Sequence, residues 1–277
     1  MLVTGALMLG VYTIVDSAKL GSTATTVLAL VAVALLAGFL VRQSMAANPL
    51  MPLTIFRSPT LSGANAIQAL TVAGMISMLF LSSLYLEQVL RFTPLQLGLS
   101  FLPASLTIAA LSLWLAPRLN VRFGPRSVLL AGLTLAFVGL VLMARAPVDG
   151  QYLTDVLPAM AFIGVGIGIM FPALVTLAMA GVAPEDSGPA SGLVNTSAQV
   201  GGALGLAILA TIAAVRSAGL QAGGLQPAEA LAGGFDLAFA VAAALFAVAI
   251  LITVTVVRDS ASDACSVPAE LPTAQAA

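Results

Sequence analysis

The sequence predicts an all-α membrane protein that crosses the bilayer about eight times. Charged side chains are scarce, with ten basic and eleven acidic residues in 277. A helix needs about 20 apolar residues to cross the hydrocarbon core of a bilayer. Helices of a soluble domain would carry charges on their outer faces. The charged residues instead leave long charge-free runs at 20–41, 58–86, 92–117, 127–144, 156–184, 187–215 and 237–257.

The composition supports this fold class and excludes several functions. Hydrophobic residues make up 60% of the chain and the mean hydropathy is +1.10, whereas soluble domains hold roughly 45–50% apolar residues. A net charge of −1 gives no basic footprint for a nucleic acid. Histidine is absent and Cys265 is the single cysteine, which leaves no basis for a metal centre or a Cys-His nucleophile. We expect no enzyme activity, metal or cofactor.

The spans follow in order along the chain. Met1–Val15 covers about 22 Å at ~1.5 Å per residue, short of a core roughly 30 Å thick. It is read as a span whose beginning is missing, or alternatively as a short first helix. Residues 1–41 then hold two helices, 42–60 a linker, 61–257 a bundle of six helices and 258–277 a disordered tail. The further spans are predicted at 23–41, 61–86, 98–116, 127–144, 156–181, 190–215 and 235–257.

Basic residues indicate the orientation of the chain. Three arginines lie within one ten-residue connector, Pro117–Arg126, and the loops alternate between two sides. By the positive-inside rule, this connector, residues 42–60 and the C-terminus face the cytoplasm. We expect a multi-pass protein of the cell membrane, with an alanine-, glycine- and leucine-rich composition that is typical of bacteria.

Polar side chains concentrate on two of the spans. Asn65, Gln68 and Thr71 advance in steps of three, and Asn195 and Gln199 lie four residues apart, so each set projects from one side of its helix. Amides that faced lipid would lack hydrogen-bond partners. The two sets either join helices to each other or line a shared substrate cavity, and two stripes on two helices favour the cavity. The 127–144 and 235–257 spans have few polar residues, which favours lipid-facing positions.

Small residues mark positions of close packing or of hinge motion. Gly164 and Gly168 precede Pro172 in one span, and Gly201 and Gly205 lie four residues apart in another. Small residues at this spacing let helices approach closely, and proline permits a kink. No carboxylate lies deep within a span, so the sequence offers no candidate proton carrier.

Three segments resemble the C-terminal half of the fourteen-span drug:proton antiporters of the major facilitator superfamily. Residues 52–57 (PLTIFR) resemble the segment before the ninth span. Residues 115–126 (LAPRLNVRFGPR) resemble the second copy of the loop motif G-x-L-x-D-R-x-G-R-R. Residues 190–205 (ASGLVNTSAQVGGALG) resemble the thirteenth span, where many relatives read SG-x-x-NT-x-RQ-x-GG-x-x-G. The chain departs from these motifs at Val121, the acidic position, and at Ala198, the arginine position.

The resemblance implies efflux of small amphipathic compounds, driven by protons through alternating access. It implies that residues 1–41 are the two central helices between the halves and that 61–257 is the C-terminal six-helix bundle. It also implies that the spans starting near residues 61, 98, 156 and 190 surround the cavity, and that an N-terminal six-helix half is missing. The loop-motif residues would form a cytoplasmic clamp, or simply hold positive charge inside: Arg118, Arg122, Gly124 and Arg126. Export of a metabolite, siderophore or self-made antibiotic is an alternative, as is a non-transporting remnant or membrane scaffold.

Overall fold

The computed structural model describes residues 59–148, 150–179 and 187–256, with isolated positions between residues 5 and 38. Six helices in these ranges are long and apolar enough to cross a membrane, and no strand occurs among the residues described. The predicted all-α polytopic fold is therefore confirmed. The predicted spans within 1–41 are described only in part, with one shorter apolar helix at Thr26–Leu35. Residues 42–58 and the predicted tail at 258–277 lie outside the described residues.

Seven α-helices and three single π-helical turns make up the six spans. One π-turn, Tyr85–Val89, follows the first helix, a second, Leu111–Leu115, joins the next two helices, and the third, Tyr152–Val156, leads into the fifth helix. The second and third helices therefore form one span, Pro94–Phe123. The helices are α1 Pro59–Leu84, α2 Pro94–Ala110, α3 Ala116–Phe123, α4 Pro125–Met143, α5 Leu157–Met179, α6 Ser187–Ala222 and α7 Pro227–Thr255.

Prolines and one capping box begin the helices. The first residue of α1, α2, α4 and α7 is a proline, which costs no hydrogen bond in the first turn. At the start of α2, the backbone N–H of Thr93 donates to Gln96 Oε1 at 2.9 Å, and the Gln96 N–H donates back to the Thr93 hydroxyl at 3.5 Å. The sequence thus defines these helix starts locally.

Several helices extend beyond the spans that the sequence predicts. The connector predicted at Pro117–Arg126 is helical as far as Phe123. The connector predicted at Arg216–Gly234 is helical to Ala222 and again from Pro227. Charged residues mark where the chain leaves the hydrocarbon, but a helix satisfies its own backbone in water as well. The predicted boundaries were therefore those of the membrane and not those of the helices.

The six spans pack in the order α2, α5, α4, α7, α6, α1, with α1 also contacting α7 and α5. Glycines bring the neighbouring helices together. A Cβ at Gly132 of α4 would lie 2.5 Å from Met170 Cβ of α5, and a Cβ at Gly74 of α1 would lie 2.8 Å from the Phe246 ring of α7. Close helix approach of this kind replaces the hydrophobic effect as the source of packing energy in lipid.

The core lies between α1, α4, α5 and α7, which corrects the prediction of lipid-facing positions for both 127–144 and 235–257. Phe239, Ala242 and Phe246 of α7 are 0–1% exposed. The scarcity of polar residues in 127–144 predicts a lipid-facing helix, but one face of α4 is fully packed. Leu129, Leu133 and Ala136 are 0% exposed against α5 and α7. An apolar helix can be either buried or lipid-facing because both environments favour the same side chains.

Candidate functional site

The polar face of α6 is open. Asn195 and Gln199 are both exposed, with Ser191 one turn before them on the same face. Neither amide forms a hydrogen bond within the part of the chain that the structure describes. An amide in a membrane span needs a polar partner or water. This face therefore suits contact with solvent, a polar ligand or another polar surface.

The polar stripe of α1 lies inside the helix packing. Asn65, Gln68 and Thr71 are 6%, 3% and 0% exposed. The Ser197 hydroxyl of α6 donates to Asn65 Oδ1 at 3.1 Å, which joins the two helices. The structure thus brings Asn65 against α6, but it does not bring Gln68 and Thr71 onto the open surface of Asn195.

Three buried oxygens on α1 lack hydrogen-bond partners among the described residues. They are Gln68 Oε1, Thr71 Oγ1 and Ser82 Oγ. These residues lie within about 60° of one another around the helix, at 100° per residue. A buried polar group without a partner costs about 1–3 kcal/mol. Gln68, Thr71 and Ser82 form the inner stripe of α1, and a hydrogen bond from water or from a polar ligand would stabilise each of them.

The predicted glycine positions are contact points between helices. A Cβ at Gly164 would lie 3.3 Å from the Ala104 carbonyl oxygen of α2, and one at Gly168 would lie 3.2 Å from Ile108 Cα. Gly201 and Gly205 of α6 lie against the backbone of Ala69 and Ala73 of α1.

Pro172 lies inside α5, which continues to Met179. Its carbonyl accepts a hydrogen bond from the Thr176 hydroxyl at 2.8 Å. Gly164 and Gly168 thus form a tight packing seam of α5 with α2, and Gly201 and Gly205 form one of α6 with α1.

Sequence reasoning missed a third glycine seam, between α4 and α5. A Cβ at Gly139 would lie 2.5 Å from Ile163, and one at Gly166 would lie 2.6 Å from the Ala136 backbone nitrogen. Gly132 and Gly139 are seven residues apart, which is two helical turns and a usable signal for one contact face. The four-residue spacing alone does not detect this pair.

The three arginines between residues 117 and 126 make different contacts. Arg126 donates to the backbone carbonyl of Val254 at 2.9 Å and to that of Thr253 at 3.4 Å, at the end of α7. A cation at a helix C-terminus satisfies its last carbonyls and its dipole. The guanidinium carbon of Arg122 lies 5.2 Å from the Phe123 ring centre, and Arg118 is exposed.

Gly124 forms the turn between α3 and α4. Its φ of 78° is in the left-handed region that glycine adopts without strain. Pro125 then starts α4 directly. The loop motif is therefore a tight turn whose final arginine ties the start of α4 to the end of α7, so both lie on the same side of the membrane.

Two tyrosines, to which sequence reasoning assigned no specific role, link neighbouring segments at the opposite end of the bundle. The Tyr85 hydroxyl donates to the Pro147 carbonyl at 2.8 Å, and the Tyr152 hydroxyl donates to the Ser100 carbonyl at 2.6 Å. Each tyrosine begins a π-helical turn. Such turns often occur at functional positions. Here each π-helical turn carries a tyrosine whose hydroxyl bonds to the backbone of another segment.

One face of α2 is apolar and uncovered. Its exposed leucines recur every three or four residues, as in the contact stripe of a helix pair. This spacing and the low burial of the span indicate a surface for a partner helix or for lipid. The residues are Leu95, Leu99, Leu102 and Leu106, which are 49–73% exposed.

A metal centre is not supported in the described ranges. They contain no group of three or more His, Cys, Asp or Glu side chains that could hold an ion. The chemistry that the site offers is hydrogen bonding by amides and hydroxyls within apolar walls.

Comparisons with known proteins give a consistent result. Residues 1–206 match the model of the family described as the Major Facilitator Superfamily. The puromycin resistance protein pur8 of Streptomyces alboniger is 34% identical over 230 residues, which is 81% of this chain and 45% of that protein. The cephamycin export protein CmcT of Amycolatopsis lactamdurans is 32% identical over 218 residues, 79% of this chain and 44% of that protein.

A third relative is a multidrug resistance protein. Stp of Mycobacterium tuberculosis is 30% identical over 206 residues, 74% of this chain and 38% of that protein. The chain therefore spans less than half the length of these relatives.

Proposed function

The chain belongs to the major facilitator superfamily, and on that premise we propose that it forms one bundle of a proton-driven exporter of small amphipathic compounds. Family members of this kind rock two bundles about a site near the middle of the membrane. The relatives are named for resistance to, or export of, puromycin, cephamycin and multiple drugs. Antibiotic-like substrates are thus part of the proposal.

The open polar face of α6 is the observation that carries the proposal. Asn195 and Gln199 are exposed, and the apolar residues Ala203 and Leu206 continue the same side of α6 at helical spacing. A substrate cavity needs a few placed polar groups among apolar walls. The two amides meet that need if the face borders a cavity and not lipid.

The inner stripe of α1 supplies a second group of hydrogen-bonding side chains. Asn65 holds α1 against α6 through Ser197, while Gln68 Oε1 and Thr71 Oγ1 are buried and find no hydrogen-bond partner in the described part of the chain. We place these three residues in the cavity that forms when α1 and α6 separate. Gly201 and Gly205 would permit that movement, because they face only the backbone and the small side chains of Ala69 and Ala73, with no long interlocked side chain between the helices.

A second six-helix bundle completes the proposed cavity. The leucine face of α2 offers the apolar contact surface, and the polar face of α6 offers the lining. Gly164, Gly168 and Pro172 of α5 allow the α2–α5 pair to adjust during rocking. Arg118, Arg122, Gly124 and Arg126 would lie on the cytoplasmic side, which also places the C-terminus there.

The test is an export assay on membranes that contain the chain together with a second bundle. Everted vesicles should accumulate puromycin when a proton gradient is imposed, and an uncoupler should abolish the accumulation. Gln199→Leu should lower the rate at least about tenfold, as expected for a buried polar contact to substrate worth about 1.4 kcal/mol.

The matched control is Gln221→Leu. Gln221 is the same residue type on the same helix, and it is exposed near the C-terminal end of α6. Its replacement should leave the rate unchanged. Equal rates for Gln199→Leu and Gln221→Leu would contradict the cavity assignment.

A further inference from the structure

A groove between α6 and α7 opens on the outer surface of the bundle. It encloses about 430 Å³, within the roughly 300–1,000 Å³ range of small-molecule sites. Along α6 it extends from residue 211 to residue 219, a distance of about 12 Å at 1.5 Å per residue. Its lining residues are Thr211, Ile212, Val215, Arg216, Gly219 and Leu237.

The groove is apolar apart from one cation. The Thr211 hydroxyl donates to the Ala207 carbonyl of its own helix at 2.7 Å, so the hydroxyl needs no partner from an occupant. A Cβ at Gly219 would meet no atom within 4 Å, which leaves open space at that end. Val215 and Leu237 are 68% and 41% exposed. These walls suit an unbranched hydrocarbon chain.

The cation lies at the membrane boundary. Arg216 is the first charged residue after the charge-free run 187–215, and Leu237 is the first residue of the run 237–257. Arg216 is exposed and forms no ion pair within the described ranges. Because α6 ends at this side, the groove lies opposite the Gly124 turn and the end of α7.

We propose that this groove binds one anionic phospholipid, with an acyl chain between α6 and α7 and the phosphate on Arg216. The charge complementarity is direct, because the guanidinium binds phosphate oxygens through paired N–H donors. An arginine at the membrane boundary can hold a lipid phosphate by these charge-assisted hydrogen bonds while its side-chain stem lies along the apolar groove. The site is distinct from the polar face of α6, and the proposal is independent of the exported substrate.

The test is native mass spectrometry of the full chain in detergent, titrated with phosphatidylglycerol or with phosphatidylcholine of the same acyl chains. Wild-type protein should bind phosphatidylglycerol more tightly. Arg216→Gln should weaken phosphatidylglycerol binding about fivefold, as expected for one arginine near an anionic lipid, and should leave phosphatidylcholine unchanged. Gly219→Leu fills the open end of the groove and should weaken both lipids.

Matched controls exist for each variant. Arg145 is an exposed arginine at the same end of the bundle outside the groove, and Gly192 is an open glycine at the other end of α6. Arg145→Gln and Gly192→Leu should leave binding unchanged. Equal losses for Arg216→Gln and Arg145→Gln would overturn the proposal.

Two other occupants are distinguished by the same preparation. Competition by millimolar inorganic phosphate alone would assign the site to a free anion and would overturn the proposal. A dimer that Gly219→Leu abolishes, with unchanged lipid binding, would assign the groove to a second copy and would also overturn it.

Discussion

The contact between α1 and α6 predicts a large cost for a single methyl group at residue 205. In Gly205→Ala, the new Cβ would lie 2.6 Å from the Cα of Ala73 and 3.0 Å from its carbonyl carbon. Those are backbone atoms, so no change of rotamer relieves the clash. Overpacking costs about 1–3 kcal/mol, and a backbone clash belongs at the upper end. Alanine gains about 1 kcal/mol in helix propensity over glycine, which leaves a net loss of about 2 kcal/mol.

Gly192→Ala is the matched control on the same helix. A Cβ there meets no atom within 4 Å, so only the propensity gain of about 1 kcal/mol applies. The two variants should therefore differ by about 3 kcal/mol in the free energy of unfolding. The assay is unfolding of the purified chain in mixed micelles, followed by far-ultraviolet circular dichroism. Equal stability of the two variants would refute the close contact between α1 and α6.

Three further variants test other contacts. Arg126→Gln removes a charged cap from the end of α7 and should cost about 1 kcal/mol, measured as faster amide exchange in the last turn, whereas Arg122→Gln should leave that turn unchanged. Thr71→Val removes a buried hydroxyl that has no partner among the described residues and should raise the unfolding free energy by about 1 kcal/mol. Thr253→Val, which removes a paired hydroxyl, should not raise it. Equal gains for the two variants would contradict the assignment. Tyr152→Phe removes an interhelical hydrogen bond and should lower the unfolding free energy by about 1 kcal/mol; an unchanged value would show that the bond adds nothing.

The number and type of the long spans follow from the sequence, but their ends do not. Hydrophobic length determines how often a helix can cross lipid, and each charge-free run between residue 58 and residue 257 overlaps one observed span. Charges such as Arg216 mark the membrane surface, whereas α6 continues to Ala222. Helix ends depend on local turn geometry beyond the bilayer, and hydropathy carries little information about it.

In the candidate site too, the sequence predicts some features and not others. Helical spacing correctly groups Asn195 with Gln199, and Gln68 with Thr71. Helical spacing does not predict that Asn195 and Gln199 are exposed whereas Gln68 and Thr71 are buried. Burial depends on which helix packs against each face. The glycine pair of α6 follows a four-residue spacing and was found, whereas Gly132 and its partner seven residues later were not.

The central claim is that the polar face of α6 borders a water-filled cavity at the level of the membrane. The lone cysteine permits a direct measurement: Cys265→Ser gives a cysteine-free background, into which single cysteines are introduced at position 199 or at position 251, where Leu251 is 61% exposed on α7. Reaction with a membrane-impermeant thiol reagent is then measured in membranes that contain the working transporter. We expect rapid labelling at position 199, slowed by substrate, and no labelling at position 251. Equal labelling at the two positions, or an unreactive position 199, would contradict the central claim.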